Sequence, residues 1–177
     1  MSKVLVCFFS AGGEDVVAGE KNEVGNTAMM ADAIVAKLKE DGHDVTSFQI
    51  MPKEPYPDSY DQKLVKATEE RAMQERPEYA EDVPGFDDYD TIFIGYPIWC
   101  SDLPMIVYNF LEKHTFTGVK LYPFCTHGGS GEAGTFTTIG NLAVGAMRKE
   151  GLAIEGKLAT QDVGKKQAEY WSGQAEI

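Results

Sequence analysis

Three stretches of this sequence place residues suited to binding a phosphate and a flat ring at the ends of apolar runs. The first begins at Ser10, which closes "KVLVCFFS", and resumes after "AGGEDVVAGEKNEV" at Gly25, Asn26 and Thr27, where a helical pattern opens. A hydroxyl at a strand end and a helix start rich in Gly, Asn and Thr together offer free backbone N–H groups and the positive end of a helix dipole. Ordinary capping of the helix by Asn26 or Thr27 accounts for the same residues. The second stretch is "YPIWCSDLP", Tyr96 to Pro104. Its aromatic residues can stack on a planar ring or fill core space where the next helix begins. The third is "THGGSGEAGT", Thr126 to Thr135, whose close glycines let backbone amides approach a flat ligand and also fit a plain tight turn.

Other chemistries fit less well. The first loop contains no GxxxxGK[ST]. Gly129, Gly131 and Gly134 satisfy GxGxxG, with Glu155 downstream as a ribose-binding acid, but Glu155 is expected near the start or middle of its strand rather than at the carboxyl end that a dinucleotide site uses. Ser130 beside His127 lacks the GxSxG of a hydrolase elbow, since Glu132 occupies the last position. The cysteines Cys7, Cys100 and Cys125 form no CxxC, which disfavours a disulfide framework or a zinc site and favours free thiols. No catalytic side chain and no metal-ligating set is assigned. A formal charge of -12 argues against nucleic acid and anionic membranes as partners. No apolar run approaches the ~20 residues of a membrane span, so a soluble, cytoplasmic protein is expected.

The elements that must position these loops follow from periodicity. Strand-like runs occur at 3–10, 44–50, 90–96, 120–126 and 152–159, the first, third and fourth almost continuously apolar, as strands covered on both faces are. Between them, Met30, Ile34 and Leu38 mark one helix, Asp58 or Ser59 opens a more polar one through Gln74, and Leu103 to His114 forms a third. Phe136, Ile139, Ala143 and Met147 share a face in a fourth, capped by Thr135 and ended by Gly151, and a weak fifth follows Val163. Alternation of this kind implies a single doubly wound α/β domain over residues 1–177, with a parallel sheet, helices on both faces and ligands beyond the carboxyl ends of the strands.

Taken together, "CFFS" with "GNT", "YPIW", "PMIVYNFLEKH" and "PFCTHGGSG" resemble the flavodoxin family in order and spacing from Lys3 to about Ala159. The resemblance implies a five-stranded sheet of order 2-1-3-4-5 that binds FMN at its carboxyl edge, and redox chemistry. By position, Ser10, Asn26 and Thr27 would hold the FMN phosphate. Pro97, Ile98, Trp99 and Cys100 would line one side of the isoalloxazine, and Thr126, His127, Gly128, Gly129 and Ser130 its other edge. The family's compact phosphate loop is here split by "AGGEDVVAGEKNEV", which reads as a segment that bulges out and returns, with Lys21 as the only cation between Ser10 and Thr27. No Trp follows the second strand, and Tyr56 is the nearest candidate there for stacking on the ring.

A field as negative as this one disfavours added negative charge on the ring, which leads to an expectation of a low-potential electron carrier. An NAD(P)H-dependent FMN quinone reductase and a flavin-free interaction module are the alternatives. Partners are expected to be redox proteins with basic docking surfaces, drawn by the carboxylates between Glu69 and Asp90, whose blander role is a solvated helix and loop.

Overall fold

The computed structural model describes residues 2–14 and 21–177. Strand β1 (Lys3–Phe8) shows how the apolar runs build a two-sided sheet. Side chains alternate across a strand, so Val4, Val6 and Phe8 enter one core while Leu5 and Cys7, followed by Phe9, enter the other, and all are buried. β1 pairs in parallel with β4 (Asp44–Gln49) on one side and β5 (Thr91–Pro97) on the other, and β5 pairs with β6 (Lys120–His127). Two short strands follow, β7 (Met147–Arg148) and β8 (Leu152–Glu155), and both pair in parallel with β6. The sheet thus has the expected order 2-1-3-4-5, with its fifth place shared by two segments.

Helix α1 (Asn26–Glu40), the short α5 (Gly156–Ala159) and α6 (Asp162–Gly173) cover the face that carries Val4, Val6, Phe93 and Phe124. On the opposite face α3 (Met105–Lys113) and α4 (Thr135–Leu142) pack on Leu5, Ile92, Ile94 and Tyr96, and α2 (Tyr60–Ala72) lies against α3. The Ser59 hydroxyl accepts from Gln62 N and caps α2. No helix among the described residues is long and apolar enough to cross a membrane.

The structure corrects two boundaries. The helix from Thr135 stops at Leu142 rather than continuing to Gly151. Ala143 leaves helical geometry at ψ 68°, and Gly145 at φ 84° turns the chain so that Met147 N and Lys149 N bond to Val119 O and Leu121 O, both at 2.8 Å. Met147 therefore joins the sheet's rim and is exposed, while Ile139 and Ala143 keep the buried face. The last strand ends at Glu155 because the chain coils into α5 at Gly156. Glu155 consequently sits at a carboxyl strand end, opposite His127, where it pairs with Lys157 at 3.1 Å.

The inserted segment leaves and returns as the start of an antiparallel hairpin, β2 (Gly13–Glu14) against β3 (Lys21–Asn22). The tip of the insertion, 15–20, lies outside the described residues, as does the Lys21 side chain.

Candidate functional site

At the carboxyl ends of β1, β5 and β6 a cavity of about 280 Å³ opens between α1, α2 and the loops after the strands. Its lining includes Ser10, Asn26 and Thr27 from the first stretch, Pro97, Ile98, Trp99 and Cys100 from the second, and Thr126, His127 and Gly128 from the third. Stretches far apart in sequence thus meet because parallel strands deliver their carboxyl ends to one edge. Gly129 and Ser130 lie outside the lining and are exposed. The turn that carries them closes on His127, whose Nδ1 accepts from Gly129 N at 3.0 Å and from Gly131 N at 3.2 Å.

Ser10 does more than end a strand. Its Oγ accepts from Ala28 N at 3.1 Å and donates to Val24 O at 2.9 Å. The N-cap residue of α1 is Gly25, at φ 86° and without a side chain to offer, so the cap comes from Ser10 instead. The alternative expected from sequence, capping by Asn26 or Thr27, is not what forms. Thr27 Oγ1 lies 2.9 Å from Thr126 Oγ1, joining the first and third stretches through two buried hydroxyls. Asn26 Oδ1 accepts from Asn22 Nδ2 at 3.0 Å, and Asn22 Oδ1 accepts from Gly25 N at 3.1 Å. The returning arm of the insertion is thereby tied to the first turn of α1.

Trp99 to Asp102 form a tight turn with reciprocal backbone bonds of 2.9 and 3.0 Å. Its central residues, Cys100 at φ 52° and Ser101 at φ 58°, are both left-handed, which costs non-glycine residues roughly 1–2 kcal/mol each. Asp102 holds the turn: Oδ1 accepts from Leu103 N at 2.7 Å and from the Tyr108 hydroxyl at 2.8 Å, and Oδ2 from Arg71 Nε at 3.5 Å. Strain retained at the mouth of a cavity is characteristic of a ligand-shaping loop. Trp99 packs edge-on against Phe9 and Tyr56, with ring centroids 5.2 and 4.9 Å away.

Tyr56 does not line the cavity, which corrects its role as a stacking residue. Its hydroxyl donates to Glu70 Oε2 at 2.8 Å, and Glu70 is itself buried, with a carboxyl held above the usual range by that burial. This bond draws the Tyr56 ring behind Trp99, where it acts as a buttress.

Residues missed in the sequence come from α2. Tyr60, Lys63, Leu64 and Ala67 recur at i, i+3, i+4 and i+7 and form one wall of the cavity. That spacing is present in the sequence, but the more polar composition of the helix does not single it out. Lys63 is only 7% exposed, and its Nζ donates to Gly12 O at 2.7 Å.

The two amides bonded to Nδ1 fix His127 as the Nε2–H tautomer. Burial lowers its pKa below the ordinary value, opposed by the Glu155 charge. Because the free loop binds a proton more readily, the closed turn is fully favoured above about pH 6.5 and is progressively lost as pH falls toward the lowered value. Histidine NMR titration is expected to show an unprotonated Nδ1 at neutral pH and a midpoint below that of an exposed histidine. A midpoint at or above the exposed value removes this account of the turn.

The family model described as flavodoxin matches residues 3–171. A candidate flavoprotein from Bacteroides eggerthii is 28% identical, with a TM-score of 0.74 over 97% of this chain and 96% of that one. Another, from Bacteroides uniformis, is 25% identical, with a TM-score of 0.71 over 94% and 97%. A flavoprotein from Lactobacillus acidophilus, solved in complex with FMN, shares the fold at 19% identity and a TM-score of 0.64 over 89% and 96%. No match was found among proteins of curated function.

Proposed function

This chain belongs to the flavodoxin family, and on that premise we propose that it binds FMN at the carboxyl edge of its sheet and carries electrons at low potential between partner redox proteins. The observation that carries the reading is the chemistry of the cavity. In a chain of net charge -12, its described lining contains no carboxylate, and it combines the first turn of α1, several hydroxyls and the Trp99 ring. Such a lining suits a ligand with an anionic end and a flat end. Ser10, Asn26 and Thr27, with the first N–H groups of α1, hold the phosphate. Pro97 to Cys100 lie along one side of the ring, and Thr126 to Gly128 form its other edge, which Gly129 and Ser130 extend outward.

When bound, FMN supplies the redox chemistry, and the protein contributes binding, orientation and field. The chain's negative field raises the cost of placing further negative charge in the cavity and so lowers the potential at which electrons are given up. Partners with basic docking surfaces fit the same charge. Several carboxylates between Glu69 and Asp90 are already paired, Glu78 with Lys53, Asp82 with His114 and Asp88 with Lys3. Asp88 and Asp90 also lie at the amino end of β5, opposite the cavity, so they attract a partner from a distance rather than by contact.

Freshly purified protein is expected to show a flavin visible spectrum and to release roughly one FMN per chain on denaturation. With NADPH and a quinone, a carrier turns over slowly until a reductase is added. Rapid steady turnover without one supports the quinone reductase reading instead. A colourless protein that also fails to quench added FMN fluorescence leaves the fold intact and assigns it to a flavin-free module.

A further inference from the structure

We propose that His127 takes up one proton from solvent when an electron enters the flavin, and that this uptake opens the turn after β6, an assignment that rests on the FMN reading above. In an Nε2–H imidazole the basic site is Nδ1, and here its lone pair accepts from two backbone amides, Gly129 N at 3.0 Å and Gly131 N at 3.2 Å. A proton on Nδ1 turns that acceptor into a donor facing two donors, so both hydrogen bonds must break. Proton uptake and opening of the turn are therefore one event. The turn has room for it, since a Cβ added at Gly129 or Gly131 would meet nothing within 4 Å.

Electron entry supplies the driving force. His127 lines the cavity in which the flavin is placed, and an electron delivered by a redox partner protein leaves the ring one charge more negative unless the ring itself is protonated. A negative charge close by favours the imidazolium, whereas burial holds the imidazole neutral beforehand. The described charges around His127 are already engaged: Glu155, across the β6–β8 pair, is bound to Lys157 at 3.1 Å, and the Glu132 carboxylate within the turn accepts from Phe136 N at 3.0 Å. From α1 the neighbour is the neutral amide of Asn26, beside Gly156 and His127 O. The coupling is a difference between two redox states, so every charge that stays fixed cancels from it. In balance, the flavin gains one electron, one Nδ1–H bond forms, two N–H···Nδ1 hydrogen bonds break, and the net charge of the loaded protein is unchanged.

Flavin-loaded protein labelled with 15N-histidine is titrated by NMR, first oxidised and then after anaerobic reduction with dithionite. Reduction is expected to raise the proton affinity of His127 about tenfold or more, with Nδ1 gaining the proton and the Gly129 and Gly131 amides shifting at the same midpoint. His127→Asn offers a neutral amide oxygen in place of Nδ1, which keeps an acceptor for the turn and removes the titration. Between the two His127 midpoints, the electron-transfer equilibrium of wild type should change by a further tenfold per pH unit, about 59 mV for a one-electron couple, its potential falling as pH rises. The variant should lack that extra slope. A His127 midpoint unmoved by reduction, protonation that leaves the glycine amides in place, or equal slopes in the two proteins overturns the assignment. Should the Asn variant fail to fold, the two NMR titrations of wild type decide alone. Wild type that holds no flavin overturns the FMN reading itself.

Discussion

Gly12→Ala is expected to weaken FMN binding by about 100-fold, the upper end of what overpacking against fixed atoms costs. The added Cβ would overlap the Glu23 carbonyl oxygen and sit 2.7 Å from its carbon, and both atoms are backbone, so no side chain can rotate aside. One arm of the insertion must move. If the returning arm moves, Val24 O is pulled from the Ser10 hydroxyl and Asn22 Oδ1 from Gly25 N, the N-cap of α1. If the leaving arm moves, Gly12 O withdraws from Lys63 Nζ. Either displacement shifts arm residues that line the cavity beside Ser10, Asn26 and Thr27, the residues proposed to hold the phosphate, whereas the ring loop at Pro97 to Cys100 is untouched. Riboflavin affinity should therefore fall much less than FMN affinity. Gly118→Ala is the control: that glycine has φ 81° and open space around it, so alanine costs only ~1 kcal/mol of backbone strain far from the cavity. FMN titration of the two variants checks the claim. A Gly12→Ala protein that binds FMN like wild type would show that the contact between the arms is not needed for the site.

The fold was legible in the sequence wherever one residue type had one physical use. The nearly continuous apolar runs at 3–10, 90–96 and 120–126 specify strands buried on both faces, and parallel order follows from the helical patterns between them. The boundary beyond α4 was less legible. Phe136, Ile139, Ala143 and Met147 fit one helical face, yet the turn at Ala143 to Gly145 and the free edge of β6 together drew Met147 into the sheet. Local periodicity carries no information about an unfilled edge several elements away.

The candidate site divides in the same way. Hydroxyls and glycines at strand ends could be read from their positions, and those of the notable loops that meet at the cavity do so because strand ends share an edge. Lys63 and the demotion of Tyr56 could not. Each depends on a pairing across the fold, Lys63 with Gly12 and Tyr56 with Glu70, between groups 51 and 14 residues apart. Ser10 shows a third case, in which a residue noted as a phosphate donor also caps α1 from 18 residues away.

Gly95→Ala is expected to cost about 3 kcal/mol or more of stability, because it forces a methyl group into a space already filled by an aromatic ring. Gly95 lies in β5 between Phe8 on β1 and Phe124 on β6. The Phe124 ring folds over it, and a Cβ there would overlap two ring carbons and approach a third at 2.8 Å. The ring has little room to retreat: Phe124 is 1% exposed and packs against Trp171 of α6 at 6.2 Å between centroids. For a chain of this size about 3 kcal/mol lowers the melting temperature by roughly 6–12 °C. The cause can be isolated with Phe124→Leu, which removes the ring at the expense of a cavity. If the clash is what destabilises, the double variant melts higher than the summed single effects require, with a coupling of about 1–3 kcal/mol. Strict additivity would place the cost elsewhere, in the strand's backbone or in the Phe9 N to Gly95 O bond of 3.0 Å. The consequence reaches the site as well, since β5 carries Pro97 to Cys100 to the cavity only a few residues beyond Gly95. A shift of that strand moves Trp99 relative to Thr126, so the single variant should lose FMN and riboflavin together, and Phe124→Leu should recover both.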